Sequence, residues 1–178
     1  MILPIVTYGN EILKEPAKPV ESVTPEVREL VETMLKTMYD ARGLGLAAEQ
    51  VGRTESIAVI DVPVDMEDED CLELNSPIPM PLIMINPEIL QDEGQIRRPE
   101  GCLSFPNLYI EITRAKSVTF QCTDLDGERH EYTAHGLLAR AVQHEIDHLK
   151  GVLLVDRMSP AQRVANAGKL RRIKSRSA

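Results

Sequence analysis

Tryptophan is absent from the 178 residues, and only two phenylalanines and four tyrosines are present. The core must therefore be largely aliphatic, although the length is ample for one domain with a proper interior. Cysteine is scarce as well. Cys71, Cys102 and Cys122 form an odd, scattered set, which argues against a disulfide framework and for a reducing cytoplasm. No apolar run approaches the length needed to cross a bilayer. Met1-Ile2-Leu3-Pro4 lacks a basic segment followed by an apolar stretch, so no secretory signal is expected. Basic residues number 20 against 28 acidic ones; the net charge of −8 argues against general nucleic-acid binding, DNA included. Repeats and clear linkers are also missing. The expectation is one domain over residues 1–178, with a basic C-terminal helix and tail at 163–178.

The charge is uneven. Six acidic and no basic residues fill Asp65–Glu73, while six basic and no acidic ones lie between Arg163 and Arg176. Asp65–Pro81 reads as an irregular, proline-punctuated acidic loop and the part most prone to disorder.

Periodicity places the elements. A short helical turn is expected near Glu11–Lys14. Thr24-Pro25 is an N-cap followed by proline at the first helical position, and Val27, Leu30, Val31, Met34, Leu35 and Met38 follow at helical spacing. Gly43 is the expected terminator of that helix. Gly43-Leu44-Gly45-Leu46-Ala47-Ala48-Glu49-Gln50 then reads as a tight loop with too few glycines, and no lysine, for a phosphate cradle. Strands are expected at Ser56–Val62, Leu82–Asn86 and Ile89–Ile96. Tyr109–Thr113, Ser117–Thr123 and Glu128–Thr133 are expected to form a meander, with an Asp126-Gly127 turn before the last. Cys122 alternates with Val118 and Phe120 and reads as a small core residue; His130 reads as an ordinary half-exposed one. A helix runs from about Gly136 to Leu149 and stops at Gly151. Val152–Val155 is read as a short strand, and Ser159-Pro160 as the cap of a final helix. The class is α+β: antiparallel or mixed sheets around a central helix, with helices at both ends.

The central helix carries the chemistry. Gln143-His144-Glu145-Ile146-Asp147-His148 contains two histidines four positions apart, which stand on one helical face and can reach one metal ion. The glutamate between them is free to shuttle protons. At about 100° per residue, Leu137, Leu138, Ala141, Val142, Ile146 and Leu149 share one half of the circumference. Arg140, Gln143, Asp147 and Lys150 fall on the other. Glu145 lies inside the apolar arc, where an unpaired carboxylate costs several kcal/mol, and His144 and His148 lie at its edge. A catalytic site of this kind keeps three protein ligands and one open position. For the third, spacing leaves Cys102, His135, His130 and nearby carboxylates all open. A metallopeptidase and a non-catalytic metal or sensor domain are the alternatives. No downstream third ligand is evident for the first, and no companion cysteine pair closes the site for the second.

Gly43–Gln50, Glu100-Gly101-Cys102-Leu103-Ser104 and Gln143–His148 resemble, in order and separation, the three motifs of peptide deformylases. The resemblance spans nearly the whole chain. It implies a hydrolase that removes the N-formyl group from formyl-Met nascent polypeptides in the cytoplasm. It further implies Cys102, His144 and His148 as ligands of one divalent ion, Fe(II) by expectation, with zinc, nickel or cobalt as substitutes. Glu145 is implied as general acid/base acting with a metal-activated water, and Gln50 with the Leu103 amide as polarisers of the formyl oxygen. The Gly45 backbone is implied to hold the peptide, with Gly43, Leu44, Leu137, Arg140 and Ala141 lining the pocket. Arg98 and Arg140 depart from the pattern, standing where apolar residues are frequent. Arg140 is expected to rim the pocket with its stem and reach water with its head. Two further expectations are a Glu100–Arg114 pair bracing the Cys102 loop, and docking of the basic tail on ribosomal RNA.

Overall fold

The computed structural model describes residues 1–177. Its first long element is helix α1 (Pro25–Asp40), where the Thr24 hydroxyl accepts from the Val27 amide at 3.2 Å. The left-handed residue closing α1 is Arg42 (φ 57°) rather than Gly43. The reason for glycine at 43 is proximity instead: a Cβ there would lie 2.7 Å from a Leu103 methyl. The expected loop after it contains strand β1 (Gly45–Ala47) and a 3₁₀ turn at Ala48–Val51, and β2 (Ile57–Ile60) follows.

β3 runs unbroken through Leu82–Glu93, where two strands were expected. The ladder slips between Ile85 and Glu88, around Asn86 (φ 49°) and Pro87, which has no N–H to donate. That break in pattern mimics a strand end. β4 (Ile96–Cys102) covers a stretch read largely as loop, and β5 (Phe105–Arg114) pairs with it alone. The expected three-strand meander therefore reduces to one hairpin, β6 (Ser117–Thr123) with β7 (Arg129–His135). Strands β1-β2-β3-β6-β7 make one antiparallel sheet, and β4-β5 a second.

Helix α3 (Gly136–Leu149) ends where expected, with Gly151 at φ 76°. Its residues Leu138, Val142 and Ile146 pack on Ala58, Ile60, Met84, Phe120 and Cys122 of the large sheet. α1 covers the opposite face with Val31, Met34 and Met38 against Leu46, Ile57, Val59 and Ile85. β2 is thus apolar at every position because helices cover both of its faces. Burying such side chains contributes roughly 1.5–3 kcal/mol each.

The small sheet packs Phe105, Leu108, Ile110 and Ile112 onto Leu153, Leu154, Met158 and Leu170. The segment expected as a strand at Val152–Val155 is a 3₁₀ turn, Leu154–Arg157. The final helix divides at Asn166 into α4 (Pro160–Ala165) and α5 (Ala167–Arg176). The acidic stretch also differs from expectation. It forms a 3₁₀ turn at Val64–Met66 and a single helical turn, α2 (Glu69–Leu72). The architecture is α+β, with α3 between the large sheet and the hairpin that carries Cys102.

Candidate metal centre and substrate pocket

Three elements meet at one point. β4 and β5 reverse tightly after Cys102, which pairs with Phe105 across an irregularity that begins at Gly101. A Cβ on Gly101 would lie 2.7 Å from the Tyr109 ring, so glycine lets this hairpin close. The thiol is thereby presented to α3, and Cys102 Sγ lies 3.3 Å from His148 Nε2. Sγ and one ring nitrogen from each of His144 and His148 all lie within 4.8 Å of one another. A single ion with bonds of about 2.0–2.3 Å can bridge such a set. His130 and His135, the alternative third ligands, do not join it.

His144 Nδ1 lies 2.9 Å from a Glu100 oxygen, which leaves its Nε2 for the centre. Glu100 is held in turn by Arg114 through two bonds of 2.8 and 2.9 Å, so the expected pair exists and braces the hairpin. Burial alone would raise the Glu100 pKa, but Arg114 and His144 hold it at about 2. Arg114 is buried and also donates to Asp147 at 2.6 Å, while Arg157 donates twice to Asp147 at 2.9 and 2.7 Å. Asp147 was expected on the solvent half of α3; it is buried, and these two arginines are what face it there.

Glu145 is buried with Oε1 in no hydrogen bond. Burial raises its pKa to about 7, against the nearby His144, which lowers it. A Cβ on Gly45 would stand 2.5 Å from Glu145 Oε2; the glycine of β1 leaves the space that this carboxylate fills. Burial keeps the His148 ring neutral, the form in which imidazole binds a metal.

Gln50 is buried, and its Oε1 accepts from the Ala47 amide at 3.0 Å. That bond orients the side-chain NH₂ towards Cys102 Sγ at 3.6 Å and Ser104 Oγ at 3.1 Å. Ser104 donates to the Val6 carbonyl at 2.7 Å, and the Val6 amide donates to the Gln50 carbonyl at 2.7 Å. The N-terminal segment therefore ties the Gln50 turn to the Cys102 hairpin. Neither Ser104 nor Val6 was read as part of the site. Ser104 carried a signal, its place two residues after Cys102, whereas the Val6 contact is made by backbone alone.

A cavity of about 570 Å³ opens on these groups. Its lining includes Gly43, Leu44, Gly45, Gln50, Leu103, Leu137, Ala141 and Glu145, together with Met66, which was not expected there. Arg140 lines it too, half-buried, with Nη1 buried and in no hydrogen bond. Arg98 does not belong to the lining; it is exposed and donates to the Arg97 carbonyl.

The family model described as polypeptide deformylase matches residues 2–164. The peptide deformylase of Acidobacterium capsulatum is 42% identical over 163 residues, covering 92% of this chain and 90% of that protein. That of Aquifex aeolicus is 44% identical over 158 residues, covering 89% and 88%. The crystal structure of the Ehrlichia chaffeensis peptide deformylase superposes with a TM-score of 0.87 at 34% identity, covering 98% of this chain and 96% of that one. Its complex with actinonin gives a TM-score of 0.86 over the same shares. With three motifs converging on one pocket and kinship over nearly its full length, the chain belongs to the peptide deformylase family.

Proposed function

We propose that this chain hydrolyses the formamide at the N-terminus of formyl-Met nascent polypeptides, with Glu145 as the general acid/base. The observation that carries the reading is an unpaired, buried Glu145 beside the grouped Cys102, His144 and His148 donors, with Glu145, Cys102 and His144 lining one cavity. The donor set fits a divalent ion, since three soft or borderline donors converge while the carboxylate beside them stays uncommitted. When bound, that ion supplies Lewis acidity, lowering the pKa of water and polarising the formyl oxygen.

The chain's own residues do the rest. Glu145 accepts the proton of the attacking water and passes it to the amine nitrogen as the C–N bond breaks. Formate and a free N-terminus result. The Gln50 NH₂, aimed by the Ala47 amide, donates to the oxygen that gains charge, together with the Leu103 N–H. Leu44, Leu137 and Ala141 receive the methionine side chain, and the Gly45 backbone holds the peptide. Fe(II) is the native ion in this reading, with zinc, nickel or cobalt as functional substitutes. Elemental analysis of protein purified without oxygen tests this, and stoichiometric zinc with full activity would overturn it.

Chelator-sensitive release of formate from formyl-Met peptides, with no cleavage of unblocked peptides, is the expected result. Cleavage of unblocked peptides would restore the metallopeptidase reading. In this reading the reaction takes place in the cytoplasm, where nascent chains emerge. No helix among the described residues is long and apolar enough to cross a membrane. The basic residues of α5 are proposed to contact ribosomal RNA through its phosphates. Ribosome co-sedimentation that survives deletion of residues 163–178 would refute that contact.

A further inference from the structure

The acidic stretch Asp65–Glu73 has no part in the chemistry above, yet one of its residues reaches the metal-bearing helix. The N-cap residue of α3, His135, makes no side-chain capping bond. Glu67 takes over, from about 70 positions upstream. Its Oε1 accepts from the Leu137 amide at 2.8 Å and its Oε2 from the Leu138 amide at 2.9 Å. The same carboxylate accepts from the Asp68 amide at 2.9 Å and from Asn75 Nδ2 at 3.2 Å. Buried Asn75 then holds both backbone groups of His135, accepting from its N–H at 2.8 Å and donating to its carbonyl at 3.0 Å. First-turn amides lack partners within their own helix, and a carboxylate there also meets the positive end of the helix dipole. Gly136 (φ +63°) leaves room for this docking, since a Cβ on it would collide with Glu67 and Cys71.

The neighbours of these atoms line the substrate cavity. Met66, which precedes Glu67, and Leu137, whose amide Glu67 binds, are both in the lining, with Arg140 and Ala141 one turn further along α3. His144 comes later on the same helix. We infer that Glu67 is a positioning residue for substrate recognition: it clamps the acidic loop to the start of α3 and so fixes the Met66–Leu137 wall that contacts the substrate's first residue. The inference rests on this cavity being the formyl-Met pocket. The cluster of Glu67, Asp68 and Cys71 could be mistaken for a second metal site. Four hydrogen bonds already converge on the Glu67 oxygens, however, and that makes it a cap.

Glu67→Ala should raise KM for a formyl-Met tripeptide about five- to tenfold, the weight of a lost cap, with kcat within about twofold of the parent. Glu67→Gln keeps one acceptor oxygen and should fall between the two. Both variants should hold one metal ion per chain. A cap that only stabilised the fold would lower the melting temperature and leave KM of the folded enzyme unchanged. Leu137→Ala serves as the control. If it raises KM while Glu67→Ala does not, the inference about Glu67 is wrong and the pocket stands; if neither moves KM, the pocket itself is misassigned. Zinc titration should give one equivalent, and a second equivalent lost in Glu67→Ala would overturn the cap. Should Glu67→Ala fail to fold, amide hydrogen exchange on the parent enzyme decides: Leu137 and Leu138 should be protected, and free exchange there would overturn the inference.

Discussion

Glu145 and Asp147 lie two positions apart on α3 and both are buried, yet their surroundings are opposite. Glu145 faces the cavity with one oxygen in no hydrogen bond and its pKa raised to about 7. Asp147 faces a second, polar cavity behind the helix and receives three hydrogen bonds from Arg114 and Arg157. One carboxylate is left free to exchange a proton. The other is saturated, and through Arg114 and Glu100 it helps orient His144. Burial of a charge is therefore ambiguous by itself; its partners decide whether it reacts or braces.

Removing each charge should separate the two roles. Glu145→Gln is expected to lower kcat by about 10⁴-fold, the upper range for a general acid/base, while metal content and melting temperature hold. Loss of the metal would mean that Glu145 is needed for ligation instead. Asp147→Ala should act the other way round. It leaves Arg114 buried with half its partners gone, and breaking such a pair costs about 3–5 kcal/mol. Urea denaturation at fixed metal loading measures this, and a loss below about 1 kcal/mol would show that the rear network does not hold the fold. Gln50→Ala should cost about 3 kcal/mol of barrier, as removal of one oxyanion donor typically does. Steady-state rates with unchanged metal content check it; an unaltered kcat would return Gln50 to a purely structural role.

The same contrast explains what could be read from the sequence. The pocket side was legible because its demands are local: histidines at helical spacing, and a glutamate on an apolar arc with no local reason to be there. The rear side was not. Asp147 looked solvent-facing on a helical wheel, and only Arg114, which is 33 positions earlier on β5, and Arg157, from the following turn, reveal its burial. The Glu100–Arg114 pair was expected as a brace of the Cys102 loop, whereas Glu67 on α3 and Val6 on Gln50 are long-range contacts that leave no periodic trace. The fold divides similarly. Helices α1 and α3 carry their own apolar stripes, and α1 its own cap, but β4 holds a proline and charged residues because one edge pairs only with β5. β5 pairs with β4 rather than β6, and its buried face packs on Leu153, Leu154, Met158 and Leu170 from the C-terminal segment.

Glu49 extends the comparison beyond the site, with the smallest expected effect. It belongs with Glu145: fully buried, next to Gln50, and with both carboxylate oxygens in no hydrogen bond. Burial raises its pKa to about 8, and the charge of Glu145 adds to the rise. In the unfolded chain the group releases its proton near the ordinary value of 4.5. Between those two pH values the native state holds the extra proton, so stability is complete below the lower one and declines as pH rises towards the upper. Glu49→Gln removes the charge at nearly constant volume. It should leave stability at pH 4.5 close to the parent's and raise it at pH 9 by roughly 2 kcal/mol, allowing for water that reaches the carboxylate. Denaturation midpoints across that range decide the matter. Parallel pH profiles for parent and variant would mean that Glu49 finds a partner in solution, placing it with Asp147 rather than with Glu145.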